Sequence, residues 1–218
     1  KNPDTTITVI SMGPPQAEAV LRECLAIAAD KAYLITDRLF GGSDTYATSY
    51  ILSQAIKHIQ KMQKIHFHAI FCGKQAIDGD TAQVGPELAE HMKYPQVTCC
   101  FAVEERKNEL IVVQERDESK KVIGITYPCV VTFTKPDADP RFPTFKRKMA
   151  ASKAIIPYIS SKDIVGIDLS NVGIKGSPTK VRKSFVHTNK KKNIMIKAEN
   201  IEGAVQELYC IVNKINKS

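Results

Sequence analysis

The stretch CGKQAIDGDTAQVGPELAEHM (residues 72–92) decides how this chain is read. Just ahead of and overlapping it, HFHAIFCG (residues 66–73) is an apolar and aromatic run that predicts a buried strand. Beyond it, Leu88, Ala89 and Met92 repeat at helical spacing, so the stretch runs strand, loop, helix. The loop carries Gly73, Gly79 and Gly85 with Asp78, Asp80, Thr81 and Gln83, small or hydrogen-bonding residues that let backbone amides approach an anion. A helix N-terminus beside such a loop is a phosphate site. The spacing equally fits a tight connection in which Asp80 or Thr81 only caps the helix, because glycine-rich loops between strand and helix are common. Two carboxylates beside a phosphate argue against a purely electrostatic cradle and leave the binding to amides and hydroxyls.

Upstream, KNPDTT leads directly into the strand TITVIS (residues 6–11), with no initiator Met, signal peptide or transit pattern, which points to residues missing ahead of it. SMGPPQAEAVLRECLAIAAD (residues 11–30) predicts a turn and an amphipathic helix, with Ala19, Val20, Glu23, Cys24, Ile27 and Ala28 on its inner side and Pro14 and Pro15 at its entrance. KAYLIT (residues 31–36) is a second strand. A loop (residues 37–45) follows, in which Ser43 or Asp44 caps a long helix, TYATSYILSQAIKHIQKM. Three alternations of strand and helix with short connections predict an α/β fold, a largely parallel twisted sheet with helices on both faces. Open sheets of this kind bind ligands at the carboxyl ends of their strands. Ser11 to Gly13, the 37–45 loop and the 72–85 loop all leave such ends, which favours a nucleotide pocket.

After Pro95 the pattern becomes alternating and β-rich: QVTCCFAVEE, ELIVVQER and KKVIGITYPCVVTFT predict antiparallel strands that continue the sheet or form its edge. Residues 135–154 begin as a proline-rich loop and end as a helix. There Phe142 and Phe145 stand among prolines and basic residues, and either pack under the loop or, if it protrudes, present aromatic surface. The last 60 residues predict an extended arm ending in an amphipathic helix with Val205, Leu208, Tyr209 and Val212 on one side. The expected division is a nucleotide-binding domain over residues 1–157 and an arm over residues 158–218.

The totals exclude several classes. Of the 218 residues 43% are hydrophobic and 25% charged, and no apolar run approaches the roughly 20 residues of a membrane span. Six cysteines with no CxxC pair indicate reduced, buried thiols in a cytosolic or matrix-like compartment, and neither they nor the five histidines show metal-ligand spacing. The net charge of +8 is concentrated in residues 146–148, 180–183 and 190–192, runs read as solvated faces. With 7% aromatics and no nucleic-acid module, nucleic-acid binding is not expected.

GKQAIDGDTAQVGPELAEHM, together with SMGPPQAEAVLRECLAIAADKAYLITDRLFGGSDTYATS before it and PRFPTFKRKMAASK and GIKGSPTKV after it, resembles the beta subunit of electron-transfer flavoprotein in order and over essentially the whole chain. Family members begin with about one more strand and helix, carrying part of the nucleotide pocket. The resemblance implies an α/β nucleotide-binding domain paired with a flavin-bearing alpha subunit, with FAD or a structural AMP held in the beta subunit. The spelling GDTAQVG (residues 79–85) is similar to that of FAD-holding, electron-bifurcating relatives, whereas the AMP type carries a further acidic residue and then Asn-Gln-Thr.

Carried over onto this chain, Ser11, Met12 and Gly13 border the adenosine. The run Asp78, Gly79, Asp80, Thr81, Ala82, Gln83, Val84 and Gly85 wraps the pyrophosphate, and Cys72 and Gly73 are counted with the cofactor site. Asp44, Thr45 and Thr48 stand on the flavin side. Arg141, Phe142, Phe145, Lys146 and Met149 form the loop that docks into an acyl-CoA dehydrogenase, Phe145 standing where the family usually has Leu. No protein residue is expected to act as a nucleophile, general acid or metal ligand, since the cofactor carries the redox chemistry. The implied activity passes electrons from NADH to an acyl-CoA dehydrogenase and to ferredoxin or flavodoxin. The alternatives are a plain carrier holding AMP and a stand-alone adenine-nucleotide-binding regulatory protein.

Overall fold

The computed structural model describes residues 5–77, 79–116, 119–134, 141–185, 195–196 and 200–215. The chain forms two compact units, residues 1–180 and 181–218. Tyr158–Ile159, expected in the arm, instead forms strand β8 beside β2 in the first unit.

Three strands, β1 (Thr8–Met12), β2 (Lys31–Ile35) and β8, pair in parallel in the order β1-β2-β8. Side chains alternate across a strand, and β2 shows what that does in a doubly covered sheet. Ala32 and Leu34 enter one buried cluster with Leu21 of helix α1 (Glu18–Ile27), while Tyr33 and Ile35 enter another with Ile51, Ala55 and Ile59 of helix α2 (Thr45–Gln63). Helices thus cover both faces.

The inner side of α1 differs from the expected one. Leu21 and Ala26 are buried and Leu25 packs beside Leu21, whereas Ala19, Val20 and Glu23 are exposed. The chain first makes a 3-10 turn over Pro15–Ala17, so the α-helix begins only at Glu18 and its seam is set by contact with β2.

A second sheet has the order β3-β7-β4-β5-β6, formed by β3 (Ala69–Gly73), β4 (Gln96–Arg106), β5 (Glu109–Arg116), β6 (Ser119–Thr126) and β7 (Cys129–Phe133). The expected single strand through KKVIGITYPCVVTFT is two. The chain bends at Tyr127 and Pro128, and β7 returns parallel to both β3 and β4, occupying the buried centre and not the antiparallel edge. Only β4, β5 and β6 pair antiparallel. Helix α3 (Val84–Met92) contributes Leu88 and Met92 to a cluster with Ile56 of α2. Ile10 of β1 and Ile70 and Cys72 of β3 pack against that same cluster. The two sheets therefore share a helical layer, although β1 and β3 do not pair with each other.

Helix α4 (Phe145–Lys153) packs beside α1, and each helix closes the other's C-terminus. Arg147 donates from Nε to Ala26 O at 3.1 Å and from Nη2 to Leu25 O and Ala29 O at 3.0 and 3.2 Å. Arg22 donates from Nη1 to Ala151 O, Ser152 O and Ala154 O at 2.7 to 3.1 Å. Terminal carbonyls lack intrahelical partners, and a cation there also meets the negative end of the helix dipole. The short helix α5 (Gly173–Gly176) completes the first unit. Helix α6 (Ile201–Ile215) lies in the second and carries Ile201, Val205, Leu208 and Val212 at helical spacing, all exposed.

Candidate functional site

The loop joining β3 to α3 is not a simple cap. Gln83 is the residue before α3 and its side chain caps nothing. Asp80 instead turns its carboxylate back to accept a hydrogen bond from Gln75 Nε2, and no hydrogen bond of Thr81 to the helix start is formed among the described residues. Among the described residues no side chain caps the amides of Val84 and Gly85 at the start of α3, Pro86 having none and Glu87 N donating to Gln83 O, and a helix N-terminus left in this way is suited to an anion. By contrast the start of α2 is capped, Asp44 Oδ1 accepting from Ala47 N at 3.0 Å.

The loop backbone is also unusual. Asp80 and Ala82 hold φ of +51° and +55°, left-handed values that cost non-glycine residues energy and cluster where a backbone is shaped around a ligand. Gly79, Asp80, Thr81 and Gln83 are exposed, while Val84 is half-buried and Gly85 buried. Asp78 and residues 135–140 and 190–192 lie outside the described residues.

Gly85 shows what the loop stands on. A Cβ at this position would lie 2.4 Å from Thr132 Cγ2 of β7, so α3 begins in direct contact with the sheet. Thr132 Oγ1 in turn accepts from Cys99 N at 3.0 Å, holding the irregularity in β4 between Val97 and Cys100. Cys72, the last inward residue of β3, has its thiol pushed up to about 11 by burial, so it presents a neutral group beneath the loop.

The 37–45 loop meets the site from the side. Thr45 Oγ1 donates to Glu87 Oε1 at 3.2 Å and lies 3.4 Å from Gln83 Oε1. Thr48 sits one turn into α2, half-buried. His91, at the end of α3, lies against the rings of Tyr46 and Tyr50 at 5.2 and 5.7 Å, and burial holds it below its usual range. Asp44 is already spent: Oδ2 accepts Thr179 N and Oγ1 at 2.8 and 2.7 Å, and its own amide donates to Ser177 Oγ. Burial pushes this carboxyl up, but the hydrogen bonds from Ala47 and Thr179 outweigh it and hold the group below its ordinary value.

Ser11 and Met12 end β1 and Gly13 follows, its amide donating to Ile35 O at 3.1 Å. Among the described residues no hydrogen bond joins these three to the 79–85 loop. The structure thus brings together Thr45, Gln83 and Gly85 but leaves Ser11 to Gly13 on the other sheet. Sequence reasoning missed Glu87, Thr132, Ser177 and Thr179. Glu87 lay within reach, one helical turn beyond Gln83, whereas the others act on partners 33 to 135 residues away.

Far from packing under their loop, Phe142 and Phe145 are 94% and 80% exposed, and Arg141, Lys146 and Met149 are exposed beside them. Thr144 caps α4 by accepting from Arg147 N, so the aromatic pair brackets a rigid helix start.

Two sheets of parallel and antiparallel strands sharing a helical layer define a mixed α/β protein. The family model for the electron transfer flavoprotein domain matches residues 1–163. The beta subunit of electron transfer flavoprotein from Megasphaera elsdenii is 44% identical over 198 residues, 90% of this chain and 73% of that protein. The caffeyl-CoA reductase-Etf complex subunit CarD of Acetobacterium woodii is 41% identical, over 85% of this chain and 68% of its own. The acryloyl-CoA reductase electron transfer subunit gamma of Anaerotignum propionicum is 40% identical, over 93% and 77%. The chain belongs to the electron-transfer flavoprotein family, on its beta-subunit side. No helix among the described residues is long and apolar enough to cross a membrane.

Proposed function

We propose that this chain, paired with a flavin-bearing alpha subunit in the cytoplasm, holds FAD against the 79–85 loop and relays electrons by flavin-based bifurcation. The donor is NADH, and the acceptors are an acyl-CoA dehydrogenase and ferredoxin or flavodoxin. The observation that carries the cofactor site is the uncapped start of α3 beneath a loop bent by two left-handed residues. In this reading the Val84 and Gly85 amides and the Thr81 hydroxyl hold the diphosphate, Gln83 offers an amide, and the Cys72 thiol, kept neutral by burial, adds no negative charge beneath it.

FAD is preferred to AMP on the spelling GDTAQVG (residues 79–85), which resembles that of FAD-holding relatives, whereas the AMP type carries a further acidic residue and then Asn-Gln-Thr. Bound FAD supplies the exchange between two-electron and one-electron transfer, which no side chain provides. The chain's own part is to position the cofactor and to present Phe142, Phe145 and Met149 to the dehydrogenase. The names of the Acetobacterium and Anaerotignum relatives, both reductase-associated, support that partner class. The exposed stripe of α6 is assigned to packing on the alpha subunit.

The test is to denature the purified heterodimer and count its nucleotides. Two flavins, one reducible by NADH, are expected. One flavin together with AMP sinks the bifurcating reading in favour of a plain carrier.

A further inference from the structure

The second half of Asp44's bonding points away from any ligand and toward residues 173–179. Its Oδ2 accepts from both the amide and the hydroxyl of Thr179, and its own amide donates to Ser177 Oγ, which itself donates to Gly173 O at 2.7 Å. One residue earlier, Ser43 Oγ accepts from Gly173 N at 3.0 Å and donates to Phe40 O at 2.7 Å. A Cβ at Gly173, whose φ is +63°, would fall 2.2 Å from Leu39 O, so the segment lies flush on the loop. Val172 and Ser177 are buried against it. The start of α2 is therefore gripped from outside by chain that is more than 120 residues distant in sequence.

The same turn of α2 faces the nucleotide loop. Thr45, next to Asp44, holds Glu87 and lies against Gln83 on α3. Thr179 is thus bonded to Asp44 at 2.7 and 2.8 Å, and Thr45, the next residue in the chain, reaches Glu87 and Gln83 at 3.2 and 3.4 Å. Three of the roughly four acceptor sites of the Asp44 carboxylate are already taken, by Ala47 N and by Thr179.

We propose that Thr179 and Asp44 are positioning residues: the 177–179 segment clasps the start of α2 and thereby sets the nucleotide loop. Because the chain passes into the second unit just beyond, at Val181, a pull on that unit by a partner acts first on Thr179 and reaches the loop through Asp44. The consequence for nucleotide rests on the reading of the loop as an FAD or AMP site, while the clasp itself does not.

The full-length protein is tested as Thr179→Val and Thr179→Ser by amide hydrogen exchange and by retention of FAD and AMP. Thr179 is exposed, so neither change threatens the fold. Valine removes the hydroxyl and leaves Asp44 short of a donor, and is expected to speed exchange at Gln83, Val84 and Glu87 about tenfold and to weaken nucleotide retention by a similar factor. Serine keeps the hydroxyl and is expected to stay within about twofold of wild type. Faster exchange confined to residues 173–180, with Gln83 to Glu87 unchanged, overturns the clasp. A wild-type protein that retains neither FAD nor AMP overturns the nucleotide reading alone, since the exchange comparison still decides the clasp.

Discussion

Replacing Gly85 by Ala tests how α3 is seated under the candidate nucleotide loop. In an ordinary helix the change gains stability, since Gly is about 1 kcal/mol worse than Ala. Here the new methyl lies 2.4 Å from Thr132 Cγ2, an overlap of more than an ångström on ordinary carbon contact. Thr132 cannot swing aside without breaking the 3.0 Å bond from Cys99 N, and it is 3% exposed. The start of α3 must move instead, disturbing Leu88 and Met92, which are anchored with Ile56. Overpacking of this kind costs about 1–3 kcal/mol, so the gain is cancelled and the net expected change runs from about zero to a loss of about 2 kcal/mol. Thr132→Ser removes the offending methyl while keeping the hydroxyl, at a cost of about 1 kcal/mol on its own. The double variant is then expected to be less destabilised than the sum of the singles by at least about 1 kcal/mol. Urea unfolding of the four proteins measures this. Strict additivity, or a Gly85→Ala variant stabilised by the full gain of about 1 kcal/mol, refutes the seating.

Loss of Arg147 to Ala is expected to lower stability by about 1–2 kcal/mol, because three carbonyls at the end of α1 lose their donor, and Lys at this position should restore little of it since an ammonium cannot span them. Thermal denaturation of both variants decides the point. Phe145→Ala is expected to leave stability within about 0.5 kcal/mol, the ring being exposed, yet to slow electron exchange with an acyl-CoA dehydrogenase at least tenfold in a stopped-flow assay. Unchanged exchange removes Phe145 from the docking surface. Asp37, held down first by the Ser161 hydroxyl, and Asp44 both titrate below their ordinary value. Their stabilising contribution is therefore complete above the unfolded value and is lost as pH falls through the lower folded one. Stability is expected to fall between about pH 5 and pH 2, with a shallower slope for Asp44→Asn in urea midpoints across that range.

What was legible without coordinates was what short spacing carries. The apolar run before Gly73 and the helical repeat of Leu88, Ala89 and Met92 give β3 and α3, and the three alternations give the parallel, two-faced architecture. Asp44 was legible as a cap because a cap bonds within three residues. The family signature lies in one contiguous stretch, which is why recognition did not wait for the fold.

Tertiary structure decided the rest, and always through partners far apart along the chain. β7 reads locally like its antiparallel neighbours, yet it lies between β3 and β4 because that central position buries Cys129, Val130 and Val131 completely. The inner face of α1, carrying Leu21, Leu25 and Ala26, is set by contact with β2 and α4. Gly85 is a loop glycine in the sequence and a contact point with Thr132 in space. The 72–92 stretch announces a strand, a loop and a helix by itself. That the loop leaves its helix uncapped, rests on β7 and is braced through Asp44 by Thr179 depends on contacts that no local pattern encodes.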